Sequence, residues 1–132
     1  MLRALVALVS TAGGAAAIDL AFKAGAGASP LHERSSLYVV VVVAGCAAWS
    51  ALIVLTRSVA LSAAGGLVVG GAAGNVLSLA LWPGIPDPIV LEPLAFNLAD
   101  GFVLVGFALV CATALAVAVA RPERLREPLR LR

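Results

Sequence analysis

Four apolar runs, each about as long as a membrane-spanning helix, take up most of this 132-residue chain. A helix needs roughly 20 apolar residues to cross about 30 Å of hydrocarbon. The runs lie at about 2–22, 37–56, 59–81 and 98–120. Composition agrees, being 62% hydrophobic and 12% charged, with a mean hydropathy of +1.08. Soluble domains are about half apolar and about 25% charged. A chain this small has too little interior to hide so much apolar surface from water. The expected fold is an all-α membrane protein of four transmembrane helices over residues 1–121, followed by a basic tail at 122–132.

Arginine distribution sets the orientation, because loops rich in Lys and Arg stay on the cytoplasmic side. Arg3, Arg57 and the C-terminal arginines fall on one side, so both termini are expected to be cytoplasmic. Trp82 and Tyr38 then fall at the outer aromatic belt. The tail lacks interleaved aromatics and follows a membrane segment. That pattern suits anionic lipid better than nucleic acid. The apolar stretch after Arg3 resembles a secretory leader, but it is long enough to span and is expected to be retained.

Segments two and three are joined only by Thr56-Arg57-Ser58 and should form an antiparallel hairpin. Residues 24–36 are small and polar, and a mobile outer loop is expected there. Residues 82–93 hold several prolines, which cannot continue a helix, and should run extended at the membrane surface. Gly66, Gly70 and Gly74 recur every fourth residue, a stripe that lets helix backbones approach closely in lipid. Cys46 and Cys111 sit in apolar runs without metal-ligand spacing and read as small buried hydrophobes. No cofactor or metal motif is present.

Polar side chains near the ends of apolar spans are costly in hydrocarbon and mark a candidate site. Asp19 and Lys23 share a face near the end of the first span. Asn75 and Ser78 lie near the end of the third, and Asn97 and Asp100 open the fourth. The third and fourth segments run in opposite directions, so these two pairs are expected to meet, with Ser78 facing Asp100. Asn97 is also suited to cap the fourth helix, which places Asp100 where the helix dipole favours a carboxylate.

These residues resemble those of the lipoprotein signal peptidases (signal peptidase II), four-span aspartic proteases of the bacterial membrane. The family's Asp-x-x-x-Lys is matched by Asp19 and Lys23. Its Gly-Asn-x-x-Asp-Arg is matched at Gly74 and Asn75. Its Phe-Asn-x-Ala-Asp is matched in full by Phe96, Asn97, Ala99 and Asp100, and Asp87 resembles the aspartate of its outer connection. Two departures stand out: Ser78 and Leu79 occupy the Asp-Arg positions, and the Asn-x-Gly-x-Ala-Phe motif is absent before the second span.

The resemblance implies a bacterial inner-membrane protein that meets lipid, a lipid-modified lipoprotein signal segment or another transmembrane protein. With Ser78 at a dyad position it implies an impaired or inactive peptidase whose surviving catalytic carboxylate is Asp100. Asp19, Lys23, Asn75, Asn97 and Asp87 would support it. Two alternatives stay open. In the first, Asp100 works with Asp87 or Glu92 as an active pair. In the second, the chain is a structural subunit of a larger membrane complex. A Ser78–Lys23 nucleophile and base is a further chemical option.

Overall fold

The computed structural model describes residues 1–120, so the basic tail lies outside the described residues. Four helices form the chain's frame: α1 (Leu2–Gly25), α2 (Ser36–Leu55), α3 (Val59–Leu81) and α4 (Leu98–Ala120). All four are long and apolar enough to cross a membrane, and the chain is an all-α, multi-pass membrane protein. α3 and α4 have the expected bounds. α1 runs on to Gly25 because Lys23 turns into the bundle instead of ending the span. α2 begins at Ser36, where the Ser35 hydroxyl accepts from the Tyr38 N–H at 3.3 Å. Ser58 caps α3 in the same way through the Leu61 N–H.

α3 is the central helix, packed on α1 along one face and on α4 along another. Glycine makes both approaches possible. A Cβ added at Gly70 would stand 2.4 Å from the Ala12 carbonyl oxygen of α1. One added at Gly71 would stand 2.4 Å from the Ala99 carbonyl oxygen of α4. Lipid gives helices no hydrophobic push together, so such contacts supply the dispersion that holds them. α2 leans on this triad more lightly, and Ile53 is its one buried residue.

The connections carry short ladders. β1 (Leu31–His32) pairs antiparallel with β2 (Ile85–Pro86), placing His32 opposite Ile85. The Asp87 N–H then donates to the Pro30 carbonyl at 3.0 Å. β3 (Ile89–Leu91) and β4 (Leu94–Phe96) form a hairpin that delivers the chain into α4. The segment after α3 is extended, as its prolines require. The loop after α1 was expected to be mobile; instead its middle is pinned to β2. Local composition hides that pairing because the partner is more than fifty residues away.

Candidate active site

The site lies where α1 and α3 end and α4 begins. Asp19, on α1, is fully buried (0% exposed), as is Ser78 on α3, and Lys23 is 2% exposed. The Lys23 ammonium pairs with one carboxylate and donates two hydrogen bonds. It lies 2.7 Å from Asp19 Oδ2, 2.8 Å from Asn75 Oδ1 and 2.9 Å from Ser78 Oγ. It therefore does not reach out to the interface, as a lysine at a helix end commonly does. Gly74 makes room for the ion pair, since a Cβ there would sit 2.7 Å from Asp19 Oδ2.

The other oxygen of Asp19 crosses to α4. Asp19 Oδ1 accepts from the Ala99 N–H at 2.8 Å. That donor belongs to the first turn of α4, where backbone N–H groups have no partner within the helix and the dipole favours negative charge. Asn97 completes the cap. Its Oδ1 accepts from the Asp100 N–H, and Asp100 Oδ2 accepts from the Asn97 N–H, both at 3.2 Å. The two residues thus form a reciprocal capping box with aspartate at its third helical position.

Asp100 is exposed and opens onto a cleft of about 410 Å³ lined by Tyr38, Val42, Asn75, Val103, Leu104 and Phe107. Its Oδ1 accepts from Asn75 Nδ2 at 3.0 Å. A second, apolar cleft of about 330 Å³ shares Val42 and Phe107 with the first and reaches Trp49. Trp49 stacks on Phe107 with ring centroids 6.1 Å apart, joining α2 to α4 across the floor. One side of the site is therefore a polar, charged end, and the other is an apolar trough between helices.

Asp87 is buried beside α4. Its Oδ1 accepts from Asn97 Nδ2, and its Oδ2 meets His32 Nδ1. Asn97 Nδ2 also donates to the Pro86 carbonyl at 3.3 Å. One residue, Asn97, therefore touches both Asp87 and Asp100. Glu92 is exposed, in the turn between β3 and β4, outside this network.

Ser78 and Asp100, expected to face each other, belong to one network. The two are linked through Lys23 and Asn75, and no hydrogen bond joins them among the described residues. The Ser78 hydroxyl donates to the Gly74 carbonyl at 2.7 Å while accepting from Lys23. A hydroxyl so committed, beside an ammonium already paired with Asp19, has neither an open face nor a free base. This geometry gives a Ser78–Lys23 nucleophile no support.

Asp19, Lys23, Asn75, Ser78, Asn97, Asp100 and Asp87 form one continuous network. His32 and the cleft-facing Tyr38 were not singled out as site residues by sequence reasoning. His32 is the chain's one histidine, but nothing local ties it to Asp87. Among the described residues, no group of three His, Cys, Asp or Glu side chains is arranged to hold a metal ion.

Residues 5–116 match the family model described as Signal peptidase (SPase) II. No curated protein matches the chain, and no solved structure does.

Proposed function

Since the chain belongs to the signal peptidase II family, we propose that it is an aspartic endopeptidase of the bacterial cytoplasmic membrane in which Asp100 and Asp87 form the working pair. The observation that carries this reading is Asn97, whose backbone N–H serves Asp100 and whose side-chain amide serves Asp87. Hydrolysis by two carboxylates needs one ionised and one protonated. The ionised member takes a proton from water as the water oxygen bonds to the scissile carbonyl carbon. The other gives its proton to the carbonyl oxygen. On collapse the C–N bond breaks, the first carboxyl protonates the leaving amine, and the hydroxyl proton returns to the second. Each carboxylate oxygen keeps a lone pair beyond the hydrogen bond it already accepts.

The family together with the clefts supports a substrate class. A signal helix of a diacylglyceryl-modified precursor would lie in the apolar trough along Val42, Phe107 and Trp49, with its scissile bond at Asp100. Entry would be sideways from the bilayer, with both termini of the enzyme cytoplasmic.

A second reading has its own observation. Ser78 stands where the family pattern has an aspartate, and this favours a protein that binds such a helix but cleaves it slowly or not at all. A cleavage assay separates the two, using a synthetic precursor peptide with an S-diacylglyceryl cysteine in detergent micelles. Under the first reading wild type cleaves, and Asp100→Asn and Asp87→Asn each lower kcat by about a thousandfold or more while the protein stays folded. Absence of cleavage by wild type, with cleavage gained in Ser78→Asp, would establish the second.

A further inference from the structure

We infer that His32 is a positioning residue that holds the side chain of Asp87 in place for the reaction. The inference rests on the Asp87–Asp100 reading. Its basis is an asymmetry in what surrounds the two carboxylates.

Asp100 meets only neutral donors: the Asn75 amide and the Asn97 backbone N–H. Asp87 meets the neutral Asn97 amide on one oxygen and an imidazole nitrogen on the other. The ring nitrogen is the one hydrogen-bond partner of that second oxygen among the described residues. Arg34 is exposed and lies over the Tyr38 ring, 5.5 Å from its centroid.

The contact is held by backbone on both sides. His32 is fixed opposite Ile85 in the β1–β2 ladder. Its main chain lies so close to Gly84 that a Cβ there would stand 3.1 Å from the His32 carbonyl. Asp87 is fixed by its own N–H to Pro30. The imidazole is 45% exposed, whereas the Asp87 side chain is 7% exposed. One side of the ring therefore faces water while Nδ1 reaches inward. A ring needed only to fill space at this loop would have no reason to aim Nδ1 at a buried carboxyl group.

The test uses the full-length protein in detergent micelles with the same S-diacylglyceryl precursor peptide. His32→Ala is expected to lower kcat at least tenfold, with KM within twofold of wild type. Asparagine carries an amide nitrogen close to the place of Nδ1, so His32→Asn should recover most of that loss. Because the ring is half exposed, added imidazole should raise kcat of His32→Ala several-fold and leave wild type unchanged. A His32→Ala kcat within threefold of wild type overturns the inference, and so does a loss confined to KM. So does a kcat loss that neither imidazole nor His32→Asn recovers, because that is the mark of a purely structural role. Asp87→Asn and Asp100→Asn keep the two failures apart. If both are inactive while His32→Ala is normal, only the role of His32 is wrong. If Asp87→Asn cleaves normally, or wild type does not cleave at all, the pair itself is wrong and the inference falls with it.

Discussion

Asp19 of α1 accepts the Ala99 backbone N–H of α4 at 2.8 Å with one carboxylate oxygen and meets the Lys23 ammonium at 2.7 Å with the other. A side chain from the first helix thereby caps the last one, and it does so inside the bundle, where water cannot substitute. Removing one partner of a buried ion pair leaves the other charge uncompensated, at a cost of about 3–5 kcal/mol. Asp19→Asn should therefore destabilise the protein by roughly that amount, read as loss of thermal stability in detergent. The double variant Asp19→Asn/Lys23→Met should be more stable than Asp19→Asn alone. Equal stability of Asp19→Asn and wild type would show that the pair contributes nothing.

The glycines of α3 divide by what faces them. Gly71→Ala places a methyl 2.4 Å from the Ala99 carbonyl, a backbone atom that cannot swing aside. α4 must move, and Asp100 moves with it. Gly13→Ala on α1 meets nothing within 4 Å. We expect Gly71→Ala to lose about 1–3 kcal/mol of stability, as overpacked cores do, and Gly13→Ala to lose none. Thermal unfolding of the two side by side checks this, and similar behaviour of both would count against the packing described.

Ser78→Asp gives a clear contrast between the two functional readings. If Asp87 and Asp100 perform hydrolysis, a carboxylate at position 78 adds only a second anion beside Asp19 to the Lys23 cluster. Cleavage of the precursor peptide should then stay within about threefold of wild type, or fall as the Lys23–Asn75–Asp100 chain is disturbed. A rise of tenfold or more would place the missing chemistry at position 78.

Asn97 has two separable duties. Its backbone and Oδ1 cap α4, and its Nδ2 reaches Asp87. Serine caps about as well as asparagine but has no amide to extend. Asn97→Ser should leave stability within about 1 kcal/mol while lowering kcat on the order of tenfold to a hundredfold, the usual effect of a small misplacement of reacting groups. A variant that unfolds, or one that cleaves at the wild-type rate, would contradict this division.

Much of this arrangement is legible in the chain itself. The four spans follow from apolar length, and the bounds of α3 and α4 follow from Ser58, Leu81, Asn97 and the prolines between them. The meeting of Asp19, Lys23, Asn75 and Asp100 follows from helix direction, because buried polar groups in lipid must find one another. What the residues do not reveal is the choice among partners. Ser78 and Asp100 share a neighbourhood but are served by different groups, Lys23 and the Gly74 carbonyl for Ser78, Asn75 and the Asn97 N–H for Asp100. His32 and Asp87 come together through a long-range ladder of two residue pairs, which has no local periodicity to announce it.

The light packing of α2 has a consequence for what the trough can accept. Three helices are locked together at glycine faces, and they carry Asp19, Lys23, Asn75 and Asp100. The fourth supplies Tyr38, Val42 and Trp49 to the opposite bank and anchors itself mainly through Ile53 and the Trp49–Phe107 stack. Sideways displacement of that bank breaks few contacts, so the width available to a guest is set separately from the spacing of the acids. Under the proposed function, helices of different girth would be seated against one unchanging set of carboxylates.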